Sequence, residues 1–384
     1  MAKVLTHDEA VEAATRLGEV FARRAAEHDA DSSFPFENFE MLHEAGILAM
    51  TVPVERGGSG LGIETLCRVT QAISTGEPST ALVMQQHLLQ QAGLARLGRW
   101  PAEVYDEVVR ATVEEGAVIN AARVEPELGT PARGGLPATT ARKTANGWSI
   151  SGRKTYTTGA PILRYAIVWA KTDENPVRLG NFLVPLKAEG VSIDRTWNHL
   201  GMRATGSDDL VMDNVEIPEK YGVDVRSQEE WRAGDNISGP QGSISMAALY
   251  NGVAVAARNW LVRYLNDRVP TNLGASLATL PRFQAAVGEI ESLLYTNNRL
   301  IFTLAHDFAT NARTVPTSEA GMVKMIVTDN VIKATQLALE LTGNPGLSRE
   351  NELERHYRDA LCGRVHTPQT DMVTGAAGRS ALGV

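Results

Sequence analysis

Apolar positions recur at three- and four-residue spacing over residues 8–29, a stretch also rich in Ala, Glu and Arg, and the same period returns over 37–45, 63–75 and 79–97. That spacing lays an apolar stripe along a helix. The run Thr51-Val-Pro-Val-Glu-Arg-Gly-Gly-Ser-Gly interrupts it with turn residues. After Gly116 the texture changes to short β-forming runs separated by turns: Trp148-Ser-Ile-Ser-Gly, Tyr165-Ala-Ile-Val-Trp-Ala, Asn181-Phe-Leu-Val-Pro and Asp209-Leu-Val-Met-Asp-Asn-Val. The helical period resumes over 245–266, 280–311 and 318–342, long enough for antiparallel bundle helices. Helices, then strands, then helices give an α+β chain with segregated elements and not βαβ units. The expected architecture is an N-terminal helical domain over 1–116, a middle small β-barrel or sandwich over 117–225, and a C-terminal four-helix bundle over 226–384.

Charge and motif content narrow the chemistry. A net charge of -8 and a pI of 5.6 do not fit a polyanion binder, so nucleic acid is not an expected partner. No stretch approaches the ~20 apolar residues that span a bilayer, and the start, MAKVLTHDEA, lacks a basic-then-apolar leader, so a cytoplasmic protein without a membrane partner is expected. Cys67 and Cys362 stand alone and read as ordinary thiols, and with no CxxC or HExxH a metal site has no support. Neither a GxGxxG after a strand nor a P-loop is present.

Five phrases stand in order along the chain: Val52-Pro-Val-Glu-Arg-Gly-Gly-Ser-Gly-Leu-Gly; Glu125-Pro followed by Gly147-Trp-Ser-Ile-Ser-Gly-Arg-Lys-Thr-Tyr-Thr-Thr-Gly-Ala; Leu200-Gly-Met-Arg-Ala-Thr-Gly-Ser with Val215-Glu-Ile-Pro; Asp267-Arg268 with Gly274 and Gln284; and Leu341-Thr-Gly-Asn-Pro-Gly with Glu354-Arg-His-Tyr-Arg-Asp. Read singly, Gly57, Gly58 and Gly60 serve a turn, Tyr156, Thr157 and Thr158 are strand formers, and Arg268 is a solvated helix-end charge. In this order and spacing they resemble the acyl-CoA dehydrogenase superfamily over essentially the whole chain. The resemblance implies a flavin-dependent oxidoreductase. Its flavin would lie with Tyr156 against the ring, Thr157 beside it and the Thr158 hydroxyl near N5, while Arg268 and the Gly343 turn would meet the pyrophosphate, partly from a neighbouring subunit of a homotetramer. The implied cofactor is FAD. Arg268 is followed by Val-Pro-Thr-Asn-Leu-Gly, two residues longer than the family's element, which leaves FMN open as well.

The same resemblance exposes a gap. Removing a thioester's α-proton needs a carboxylate base, and counting from Arg358-Asp359 the family's position for it holds Thr367. A second location used by relatives matches residues 239–245, which carry no acid. Asp371, one helical turn past Thr367, would restore a base by a shifted register, with Asp235 a weaker substitute; each reads more readily as an exposed loop or capping aspartate. Around the gap stand His366, His87 on the Met-Gln-Gln-His-Leu-Leu helix, and Thr158-Gly-Ala. These resemble the superfamily's flavin-dependent monooxygenase branch, similar to dibenzothiophene monooxygenase, in which reduced flavin holds O2 as a C4a-hydroperoxide and imidazoles steady or protonate it. Either histidine also reads as an ordinary satisfied side chain. Three functions stay open: an acyl-CoA dehydrogenase-like enzyme working with an electron-transfer flavoprotein, a monooxygenase supplied by a flavin reductase and acting on a small organosulfur, amine or aromatic substrate, and a catalytically silent flavin binder. Gln91, Gln241 and Trp197 are candidates for lining the substrate pocket.

Overall fold

The computed structural model describes residues 3–128, 135–232 and 239–383; Asp235 lies outside them. The chain begins with α1 (His7–Ala22), opened by a capping box in which the Thr6 hydroxyl accepts from the Glu9 amide and the Glu9 carboxylate accepts from the Thr6 amide. The helix expected over 8–29 is two: α1 ends near Arg23, and α2 (Ala25–Asp31) turns away, bringing Asp29 to Arg358 and Arg203. Then follow α3 (Phe36–Glu44), α4 (Ile63–Gly76), α5 (Pro78–Leu97) and α6 (Ala102–Glu115). In α5 the Glu77 side chain caps the Ser79 and Thr80 amides, Pro78 presets the first turn, and residues on every side are buried, as expected of a helix at the centre of its domain.

Eight strands follow among the described residues: β1 (Val118–Ala122), β2 (Thr140–Thr144), β3 (Gly147–Lys154), β4 (Leu163–Thr172), β5 (Arg178–Pro185), β6 (Val191–Asp194), β7 (Asp209–Pro218) and β8 (Gly222–Ser227). They form one sheet in the order β6-β7-β3-β2-β4-β5-β8, with β1 added in parallel to β4. β1 and β2 share one edge of β4, β1 opposite residues 163–168 and β2 opposite Lys171 and Thr172. A core of Ile150, Ile167, Phe182, Leu183 and Val215 lies beneath, with Val104 and Val108 of α6 packed into it.

After α7 (Gln228–Arg232), three long helices carry the C-terminal part: α8 (Gly239–Asp267), α9 (Pro281–Thr310) and α10 (Thr317–Thr342), joined by short α11 (Asn344–Leu347), α12 (Leu353–Leu361) and α13 (Thr370–Leu382). An amide ladder crosses the bundle: Asn251 donates to Gln71 and Asn298, Asn297 donates to Asn251, and Asn330 donates to Asn297. It fixes one register of α4, α8, α9 and α10. No helix among the described residues is long and apolar enough to cross a membrane.

Candidate active site

The site begins where β3 stops. Lys154, fully buried, donates to Glu125 Oε1 at 2.7 Å and to the Trp169 carbonyl at 2.5 Å, while Glu125 also accepts from the Ala138 and Thr139 amides and the Thr139 hydroxyl. Burial pushes the Lys154 amine down to about 8, against the pull of Glu125. From this anchor the chain turns through Tyr156, whose φ of 56° is left-handed and whose ring remains 58 % exposed, edge-on to Trp197 and His199. The next four amides are all engaged: Thr157 donates to Asp208 O, Thr158 to Tyr156 O, Gly159 to Thr205 O, and Ala160 to Thr157 O and Gly206 O. Asn120 donates to the Thr158 carbonyl, and the Thr158 hydroxyl sits 3.0 Å from that of Ser207, itself 2.8 Å from that of Thr205. The Thr157 hydroxyl is buried and meets no partner.

Gly159 joins this loop to the helices. A Cβ there would lie 2.7 Å from Val83 Cγ1 on α5, so only glycine lets the loop seat this closely. Gln85, two residues further along α5, donates to Ser245 of α8 at 2.7 Å. One turn on, buried Tyr250 places its hydroxyl 2.8 Å from His366 Nδ1. Desolvation and the nearby Lys324 charge lower His366 to about 4, and burial holds the Tyr250 phenol well above its ordinary value, so a neutral pair stands here at pH 7. The loop carrying His366 is clamped from α10 by the Lys324 ammonium, which donates to the carbonyls of Gly363, His366 and Pro368. Arg358 pairs with Asp29 and Glu354, and Asp359, raised to about 7 by burial, accepts from the Met202 amide at 2.6 Å. The Arg-Asp phrase thus ties α12 to α2 and to the loop that precedes Thr205.

The residues singled out from sequence scatter unequally. Tyr156, Thr157 and Thr158 share the loop, and His366 faces Tyr250. Thr367 is exposed, and Asp371 is exposed on the first turn of α13, so neither lies in a desolvated setting that would raise a carboxylate toward neutrality. Arg268 and Gly343 lie exposed at the ends of α8 and α10; Arg268 lines a 410 Å³ cavity with Trp260, Arg263 and Tyr264. Gln91 is buried against Thr112, tying α5 to α6, Gln241 is half-buried on the first turn of α8, and Trp197 stacks on His199 while donating to Met202 O. Cys67 is buried and Cys362 half-buried. Tyr250, Lys324, Ser207 and Thr205 were not foreseen as site residues. The first two sit within apolar helical runs; the last two stand within the Ala-Thr-Gly-Ser phrase, where they carried no distinct signal.

His87 has a different part. Its Nε2–H donates to the Leu48 carbonyl at 2.9 Å and its Nδ1 accepts from the Ile119 amide at 3.1 Å, so the neutral ring bridges two backbone segments with no nitrogen left over. Burial lowers it from 6.5 to about 4. With the folded value below the unfolded one, the neutral ring's contribution is present in full above pH ~6.5 and is lost as pH falls through ~4, roughly 3 kcal/mol in all. Urea unfolding of the wild type at pH 7 and pH 4 is expected to show this loss, and His87→Gln to remove that part of the pH slope; an unchanged slope would contradict the assignment.

The family models for the acyl-CoA dehydrogenase N-terminal, middle and C-terminal domains match residues 6–99, 121–215 and 244–370. The chain belongs to the acyl-CoA dehydrogenase family. It is a flavin-dependent oxidoreductase of that family. It is 33 % identical to YdbM of Bacillus subtilis (strain 168), a protein provisionally named as an acyl-CoA dehydrogenase, over 93 % of this chain and 92 % of that one. Among solved structures, KijD3 in complex with FMN and a dTDP-linked amino-keto sugar superposes with a TM-score of 0.84 at 26 % identity, over 100 % of this chain and 95 % of KijD3. Butyryl-CoA dehydrogenase from Megasphaera elsdenii shares the fold, with a TM-score of 0.86 at 20 % identity over the whole of both chains.

Proposed function

We propose that the protein is a monooxygenase dependent on reduced flavin, acting on a small organosulfur, amine or aromatic substrate. The observation that carries this reading is the neutral Tyr250–His366 pair standing beside Thr367, where a dehydrogenase of this family needs a carboxylate. The loop fits a flavin: Tyr156 offers a bare aromatic surface, Thr158 a half-buried hydroxyl, and Thr157 an unpartnered buried oxygen, matching a flat ring with heteroatoms along its edge. The FMN bound to KijD3 supports FMN beside FAD as the flavin taken. Arg268 and Gly343 would meet its phosphates, with a neighbouring subunit of a tetramer contributing.

A reduced flavin bound there supplies the two electrons with which O2 gives one oxygen atom to the substrate and one to water. The protein's share is positional and protic. His366, neutral and held through Nδ1 by Tyr250, presents Nε2 as a proton carrier, and Lys324 fixes the loop that sets its height. A flavin reductase would be the electron-supplying partner. When protein loaded with reduced flavin is mixed with O2, the return of oxidised flavin is expected to lag well behind that of free reduced flavin; equal rates would count against oxygenation.

A second reading, acyl-CoA dehydrogenation passing electrons to an electron-transfer flavoprotein, is favoured by the YdbM relationship. It requires Asp371 or another acid to reach the substrate, and Asp371 is exposed.

A further inference from the structure

We infer that the hydroxyl relay Thr205–Ser207–Thr158 makes this site select reduced flavin over oxidised flavin. The inference rests on the proposed seating of flavin N5 at Thr158, and it follows from counting hydrogens. The single hydroxyl hydrogen of Thr205 is given to the Met202 carbonyl at 2.9 Å. The 2.8 Å contact between Thr205 and Ser207 therefore consumes the hydrogen of Ser207. The 3.0 Å contact between Ser207 and Thr158 then consumes the hydrogen of Thr158. What Thr158 has left for a ligand is lone pairs alone.

No amide of residues 157–160 makes good the missing donor at Thr158, and the other hydroxyl of the loop, that of Thr157, is buried with its hydrogen uncommitted. The amides of residues 157–160 are all spent on the Asp208, Tyr156, Thr205, Thr157 and Gly206 carbonyls, and the Asn120 side chain donates to Thr158 O. At Thr158 the loop therefore offers an acceptor and no hydrogen. N5 of an oxidised flavin is itself an acceptor, whereas N5 of the two-electron-reduced flavin carries a hydrogen and donates. Reduced flavin meets a complement at Thr158. Oxidised flavin meets a lone pair, unless Thr158 abandons Ser207 and turns its hydrogen outward.

The two redox states thus differ by about one net hydrogen bond, which corresponds to roughly threefold to tenfold in Kd. By linkage, a tenfold preference raises the potential of a bound two-electron couple by about 30 mV. Thr205 and Ser207 act through Thr158, as positioning residues for one proton.

Anaerobic titration of the full-length protein with FMN and with FAD, each oxidised and dithionite-reduced, reads the effect directly. The reduced form of the flavin that binds is expected to bind about threefold to tenfold more tightly. Ser207→Ala leaves the Thr158 hydrogen without its acceptor, and Thr205→Val lets Ser207 donate to Thr158 instead, so both variants free that hydrogen for N5. Each is expected to tighten oxidised flavin and bring the ratio toward one, and Ser207→Thr to restore it. A variant that only loosened the loop would weaken both redox states alike. A wild-type ratio at or below one, or a ratio unmoved by both variants, overturns the inference while leaving the flavin site in place. Absence of binding in either redox state, or affinities untouched by Thr158→Ala, removes the flavin from this loop and overturns the functional reading with it.

Discussion

Lys154→Met is expected to lower the unfolding free energy by about 3–5 kcal/mol, because it leaves the Glu125 carboxylate buried without its counter-charge. Lys154 is fully buried and Glu125 is 3 % exposed, so water cannot take over the lost partner. Against a typical total stability of about 5–15 kcal/mol, that is a large fraction. The loss should extend beyond stability: Lys154 ends β3 two residues before Tyr156, and the Thr155 amide is held by Val124 O, so the loop's seat depends on this pair. Adding Glu125→Gln to Lys154→Met removes the stranded charge while keeping one oxygen, enough for the Thr139 amide but not for that of Ala138 as well, and should recover part of the loss. Urea midpoints of the single and double variants check this. A single-variant loss below about 1 kcal/mol, as for a solvent-screened pair, would contradict it.

His366→Ala is expected to lower substrate oxygenation by about two to four orders of magnitude, the usual range for removing a positioned proton-transfer group. Tyr250→Phe keeps the ring in its slot and deletes only the hydroxyl that holds Nδ1, so roughly a fivefold to tenfold loss is expected. The two effects should not add, since in the absence of the imidazole the phenol has nothing to orient. A double variant no slower than His366→Ala alone, measured as product formed per reduced flavin supplied, is the expected signature. Full multiplication of the two losses would show that Tyr250 acts elsewhere.

The long elements of the fold were legible because their apolar periodicity is strong. Residues 245–266 and 318–342 fall inside α8 and α10, 280–311 overshoots α9 by one residue at each end, and the β-rich runs fall on β3, β4, β5 and β7. Two of the four strands without a sequence signal are short and half-solvated: β6 is Val-Ser-Ile-Asp with alternating exposure at the sheet edge, and β2 is Thr-Ala-Arg-Lys-Thr. The helix over 8–29 reads as continuous because Arg23 and Arg24 are good helix formers; the break comes from the tertiary demand that Asp29 reach Arg358. Candidate site residues could be named from sequence wherever a residue type carries its own chemistry, as at His366 and Thr158. It was illegible where chemistry depends on who stands opposite. Tyr250 reads as one more apolar residue in an Ala-rich helix until the loop of His366 folds over it, and Ser207 matters only because Thr205 has already committed its hydrogen. His87 is the converse case, a residue with catalytic chemistry whose two nitrogens the backbone has taken.

The central claim, that this family member does not dehydrogenate acyl thioesters, is tested most directly by mixing the protein loaded with oxidised flavin anaerobically with acyl-CoAs of short to long chain and following the visible flavin band. No acyl-CoA is expected to bleach it, because the family's spacing from Arg358-Asp359 assigns Thr367, and no carboxylate, to the base position. Bleaching by any acyl-CoA within the time of normal turnover would show that the protein is an acyl-CoA dehydrogenase after all.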